Sequence, residues 1–157
     1  MKVSEVMTKD VVTCAPADPI TKIVKLMSEK DVSGVPVLDG ERLVGIITEG
    51  DILKVLAGPS ESGTLWLPSP LEVWLEIPIK DVLQLRRIQK AAKDVGETPV
   101  RDVMTKDVIT IEPANDIEDA AAAMVRYKIN RLPVVEKGKL IGIIARNDII
   151  DGLGGRR

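Results

Sequence analysis

Apolar positions arrive along this chain in bursts whose spacing changes from one burst to the next. Val11 to Thr13 is a short β-branched run, closed by Pro16, and reads as a strand. Asp18 and Pro19 follow as an N-cap and an N1 proline, so a helix is expected from that point. Its stripe of Ile20, Ile23, Val24 and Met27 recurs at i, i+3, i+4 and i+7, which turns one face inward and leaves Lys22, Lys25 and Glu29 in water. Val35 to Leu38 and Arg42 to Ile47, joined by Asp39-Gly40, predict a hairpin apolar enough to be buried on both faces. Thr48 to Leu56 is the expected closing helix, stopped by Gly58-Pro59. The order is strand, helix, strand, strand, helix.

The same order returns further on. Val108 to Ile111 reads as a strand, and Asn115 with Glu118 at N3 caps a helix whose inward stripe is Ile117, Ala120, Ala121 and Met124. Pro133 to Glu136 and Lys139 to Ala145 form the second hairpin, and Asn147 to Leu153 the last helix. Residues 3–56 and 100–153 lie on each other at a constant offset of 97 without a gap, and 21 of the 54 aligned positions are identical. Chance would give roughly three or four. Such a period implies a unit that cannot bury its apolar face alone and must pack on its copy. The expected organisation is a repeat at 1–58, an insertion at 59–99, a second repeat at 100–153 and a frayed tail at 154–157. Function is expected where the copies meet.

The insertion opens polar, from Pro59 to Gly63. Ser69, Pro70 and Glu72 then form a capping box for a short helix carrying Val73, Trp74 and Leu75, and a longer helix is expected from Ile79 to Val95, stopped by Gly96. Both tryptophans, Trp66 and Trp74, lie in it. Two readings stand: they pack the insertion onto the repeats, or they form an interface with a partner or second protomer.

Composition narrows the function classes. The 157 residues are 45% hydrophobic and 29% charged, while Phe is absent and aromatics total 2%, so the core is aliphatic. Net charge is −2 with Lys and Arg dispersed, which is not the footprint of a duplex-DNA binder. The basic positions Arg86, Arg87, Lys90 and Lys93 read as a solvated helix face rather than a nucleic-acid or metal site. Cys14 is the one cysteine, which excludes an intrachain disulfide and a thiolate cluster; it is expected to be a small core hydrophobe. His is absent, removing the commonest general base and transition-metal ligand. With no paired nucleophile and base, catalysis is not expected, nor any required cofactor or metal. No apolar run approaches the ~18 residues of a membrane span and the N-terminus enters the repeat at once, so a cytoplasmic location is expected.

The candidate chemistry lies at the strand-to-helix junctions. In copy one, Thr48 and Asp51 bring a hydroxyl and a carboxylate to the first turn of a helix, where unpaired N–H groups favour anions. Thr48 there suits a phosphate and Asp51 suits ribose hydroxyls. Thr-x-x-Asp is also nearly a capping box, and both side chains read equally as helix caps. Copy two carries Ala145 in place of the threonine, keeps Asp148 and adds Arg146, which suits a charged phosphate or plain solvation. The two junctions are therefore inequivalent, and unequal affinities are expected.

The paired signatures VSEVMTKDVVT and VRDVMTKDVIT, SGVPVLD and NRLPVVE, and GIITEGDI and GIIARNDI resemble the CBS-domain family, named for the regulatory domain of cystathionine β-synthase, here in tandem. The resemblance covers about two-thirds of the chain. It implies an α/β (α+β) fold, a pseudo-twofold disc of two βαββα units, with composite clefts between them. Carried over, Thr48 and Asp51 would face Thr110, Ile111, Pro113, Asn130, Arg131, Leu132 and Pro133. Arg146 and Asp148 would face Thr13, Cys14, Pro16, Ser33, Gly34, Val35 and Pro36. Apolar residues there would sandwich a purine, with backbone amides of Val35 or Leu132 reading its edge. The implied function is a non-catalytic regulatory sensor of AMP, ADP, ATP or S-adenosylmethionine, acting as a homodimer of paired repeats or on a regulated partner protein. The alternative is a structural interaction module, with vestigial clefts and Trp66 and Trp74 as its working surface.

Overall fold

A computed structural model describes residues 1–57 and 95–155. In chain order its elements are α1 (Val3–Val6), α2 (Ile20–Lys30), β1 (Gly34–Asp39), β2 (Arg42–Thr48), α3 (Glu49–Ala57), a 3-10 turn (Val100–Asp102), α4 (Ile117–Tyr127), β3 (Arg131–Glu136), β4 (Lys139–Ala145) and α5 (Arg146–Leu153). This is a mixed α/β fold built on two small antiparallel sheets, β1 with β2 and β3 with β4. The helices expected around Trp74 and from Ile79 onward, and both tryptophans, lie outside the described residues.

The hairpins have matching registers, with Val35 opposite Ile47 and Leu132 opposite Ile144. Each carries one extra residue on its second strand at the same place, between Val37 and Leu38 and between Val134 and Val135 on the first. Their turns differ because glycine sits one position apart. Gly40 alone takes a positive φ in the first loop, whereas Lys137 and Gly138 both do so in the second, as a type I′ turn requires.

The strands expected at Val11 to Thr13 and Val108 to Ile111 shrink to single parallel bridges, Cys14 to Val37 and Ile111 to Val134. Each bridge is held by two backbone hydrogen bonds, and Cys14 N–H donates to Pro36 O at 3.1 Å while Leu38 N–H donates to Cys14 O at 2.9 Å. Helix starts also move. Pro19 and Asp116 are the N-caps, one residue later than expected. Asp18 and Asn115 instead accept from the backbone N–H three residues earlier, Ala15 at 2.9 Å and Glu112 at 3.1 Å, closing the turn that leads into each helix. Val24, expected on the inward stripe, is 48% exposed, while Ile20, Ile23 and Met27 are buried.

The two repeats pack on each other by an exchange of arms. Val3, Val6 and Met7 are buried in a core with Ile117, Ala120, Met124, Leu132, Val134, Ile144 and Ile149 of the second repeat. Val100 lies in the core of the first repeat, with Val95, Val103 and Met104 packed against it. The backbone repeats the exchange bond for bond at the 97-residue offset. Val3 N–H donates to Asn115 O at 2.9 Å and Val100 N–H to Asp18 O at 2.8 Å; Ser4 N–H donates to Pro113 O and Arg101 N–H to Pro16 O. Thr8 bridges Ile143 on β4, and Thr105 bridges Ile46 on β2. Residues 95–99, placed in the insertion by sequence, are part of this joint, since Thr98 O accepts from Ile20 N–H.

Candidate functional site

β2 ends at Thr48 and α3 begins at Glu49, so the junction presents the open first turn of a helix. Thr48 N–H and Oγ1 both donate to Asp51 Oδ2 at 3.0 Å, and Asp51 N–H donates back to Thr48 Oγ1 at 3.3 Å. The capping role is thus realised. It does not exhaust the carboxylate. Asp51 Oδ1 accepts from Thr105 Oγ1 at 3.1 Å, which ties the junction to the arm of the other repeat. Three bonds against about four acceptor positions leave room for one more donor, and the Thr105 hydroxyl can rotate aside.

Around this junction opens a cleft of about 360 Å³, within the range of small-molecule sites. Thr48, Glu49, Gly50, Asp51 and Lys54 form one wall, Thr105, Asp107, Val108 and Ile109 a second, and Lys128 to Arg131 with Pro133 a third; Ser33 and Ile46 complete it. Both repeats contribute. Lys54, Lys128 and Arg131 supply positive charge beside Glu49, Asp51 and Asp107. Burial lowers the pKa of Arg131, Glu49 pulls it back up and Arg146 pushes it down, and the guanidinium stays charged. Arg131 Nη2 donates to Ser33 Oγ across the seam between the repeats.

Of the residues expected to line this cleft, Thr48, Asp51, Asn130, Arg131 and Pro133 do so. Thr110, Ile111, Pro113 and Leu132 do not. Ile111 and Leu132 turn into the core, and the Pro113 carbonyl is spent on the exchanged arm. The wall comes from two residues earlier, Val108 and Ile109, because the bridge at Ile111 fixes which side chains face inward. On the opposite side, Cys14, Val35 and Pro36 are likewise buried, Pro16 holds Arg101, and Thr13 is exposed. Ala145 N–H donates to Asp148 Oδ2 at 2.8 Å, so Asp148 caps α5 as Asp51 caps α3. Arg146 is exposed and Gly34 lies beneath the Arg131 side chain. Ser33 and Asn147 share a wider hollow of about 800 Å³ that includes Asp31 and Glu49 but neither Arg146 nor Asp148.

Lys54, Thr105, Asp107 and Lys128 were not foreseen. Lys54 follows Asp51 at i+3 on one helix face, a legible signal. Thr105 and Asp107 belong to the MTKD segment common to both copies, whose polar residues fit neither helix nor strand. Lys128 owes its place to the left-handed C-cap of α4, at φ 55, which sequence does not announce for lysine. No group of three or more potential ligands able to hold a metal occurs among the described residues, and no helix among them is long and apolar enough to cross a membrane.

Two homologous halves that exchange arms and enclose a cleft at a strand-to-helix junction define a paired-repeat module. The CBS domain family matches residues 3–58 and 100–155, and the chain belongs to that family. An uncharacterized protein of Methanocaldococcus jannaschii, MJ1426, is 41% identical over 155 residues, covering 98% of this chain and 91% of the relative. The inosine-5'-monophosphate dehydrogenase of Korarchaeum cryptofilum is 33% identical over 142 residues, but the match spans 90% of this chain and 22% of that protein. The crystal structure of CBSX2 in complex with AMP superposes with a TM-score of 0.70 at 26% identity, covering 98% of this chain and 97% of that one.

Proposed function

We propose that the protein is a non-catalytic regulatory module that binds an adenine nucleotide or related adenosyl compound in the Thr48–Asp51 cleft. The observation that carries this reading is the cleft itself, which joins a carboxylate with spare acceptor capacity to three cations drawn from both repeats. Asp51 receives ribose hydroxyls, Val108, Ile109 and Pro133 offer apolar surface to the base, and Lys54, Lys128 or Arg131 meets a phosphate. The AMP complex of CBSX2, a family member of the same fold, supports the choice of ligand class.

A ligand touching both halves favours whichever arrangement closes the cleft, and that difference is the signal. Output passes to a second copy or a partner protein. Val24, Leu53, Leu56, Ile150 and Leu153 are exposed apolar residues on the outer helices, and their cover by a second protomer would supply a homodimer contact. Calorimetric titration with AMP, ADP, ATP and S-adenosylmethionine tests the reading. At a hundredfold excess over Kd the bound nucleotide adds about 2.7 kcal/mol of stability, visible as a raised melting temperature. Asp51→Ala is expected to abolish both heat and shift; no response of the wild type to any of the four at millimolar concentration would overturn the proposal.

A further inference from the structure

The two junctions are related by the 97-residue offset, yet the structure treats them differently. The difference centres on one position. Gly34 opens β1 and Arg131 opens β3, at equivalent places. With no side chain at 34, nothing from that position reaches over the wall formed by Asn130 and Arg131. The Arg131 side chain, by contrast, lies directly on Gly34, where a Cβ would run into its guanidinium and its Cδ, and it bonds to Ser33 Oγ. Ser33 and Gly34 are the residues that would wall a cleft at Asp148. Ser33 also edges the open cleft at Asp51, so Arg131 spans the seam and rests on the wall that the Asp148 side would use.

Charge runs the same way. Lys128 lines the open cleft, and its counterpart Asp31 has the same left-handed C-cap conformation. Lys54 also lines it, and its counterpart at the other junction is Asp151. Two cations are thus exchanged for two carboxylates. The replacement of Glu49 by Arg146 offsets only half of that change, and Asp51 and Asp148 are the same on both sides. An anion entering beside Asp148 meets more negative charge and a filled wall.

We infer that each chain binds one phosphate-bearing adenylate, at Asp51, and that Arg131, laid across Ser33 and Gly34, closes the pseudo-equivalent site at Asp148. This rests on the adenylate reading above and adds stoichiometry and a determinant of it. Arg131 acts twice, as a cation for the open cleft and as a cover for the other. It faces Ser33, Gly34, Glu49 and Arg146, so its charge is held by one carboxylate and opposed by one guanidinium.

The test is calorimetry on the full chain with AMP and with uncharged adenosine. For AMP, one site per chain is expected, lost at least tenfold in Asp51→Ala and changed less than twofold in Asp148→Ala. Both carboxylates cap equivalent helices, so loss of a cap is common to the two variants, and melting curves verify that both remain folded. In Arg131→Ala, AMP is expected to bind its one site more weakly, while adenosine gains a second site that disappears on adding Asp148→Ala. Two AMP sites in the wild type, equal losses in the two Asp variants, or a single adenosine site in Arg131→Ala would overturn the asymmetry and leave the adenylate reading intact. Absence of AMP binding altogether would overturn both.

Discussion

Cys14 is chemically the most distinctive residue of the first repeat, yet its surroundings silence it. The thiol is buried against the carbonyl of Pro36, 3.8 Å away, in the aliphatic core. Burial, with a smaller contribution from Asp18, raises its pKa from 9.0 to about 12. A thiolate is therefore scarce at neutral pH, and the residue acts as a small hydrophobe. Labelling by a thiol reagent such as DTNB at pH 8 is expected only after denaturation; rapid labelling of the native protein would contradict this. The linkage has a definite sign. Because the native state holds the thiol proton more tightly than the unfolded chain, this contribution is intact below pH 9 and is lost as pH rises from there toward 12. Cys14→Ala should remove that part of the alkaline decline in urea-derived stability.

Among elements, the arms and the strands they cross set the tightest tolerances. Gly45 on β2 lies under Met104, and a Cβ there would come within 3.0 Å of the Thr105 carbonyl oxygen; Gly142 on β4 lies under Met7, with the Thr8 carbonyl oxygen at 3.1 Å. Both oxygens accept from the strand, from Ile46 N–H and Ile143 N–H, so neither can retreat without breaking a hydrogen bond. Gly45→Ala and Gly142→Ala are each expected to cost about 1–3 kcal/mol by overpacking, read as a lower urea midpoint. A cost near zero would mean the arms sit loosely. This is also the scale at which sequence and structure part. The helices were legible because their periodicity reports one partner face, and the first hairpin because its apolar density marks burial on both faces, as the unbroken burial from Gly34 to Val37 shows. The opening strands were not, because a β-branched run of three residues sets propensity without setting how long pairing lasts. The caps slipped by one residue because Asp18 and Asn115 accept from the backbone N–H three residues upstream instead of from the helix.

At the scale of the whole molecule, the repeat was plain in the sequence but its physical boundaries were not. A tandem alignment shows which residues correspond and is silent on which copy each arm enters; Val3 is as apolar in one core as in the other. The same silence displaced the cleft walls, since Thr105 reaches Asp51, and Asp107 the cleft around it, only because the arm is exchanged. Each half therefore lacks part of its interior when alone. Removing residues 1–8 withdraws Val3, Val6 and Met7 from the second core, each worth about 1.5–3 kcal/mol of burial. The truncated chain is expected to show early loss of amide-exchange protection in α4, β3 and β4, with partial rescue by a peptide of residues 1–10. Unchanged protection would argue that the halves are independent.

One consequence of this weave concerns the stretch between residues 57 and 95. Leu56, near the end of α3, and Val95 line the same groove beside Ile20, Val24 and Ile52, so the chain departs from and comes back to a single half. The two attachment points therefore belong to one body. Rearrangement of the two repeats against each other leaves the separation of those points unchanged.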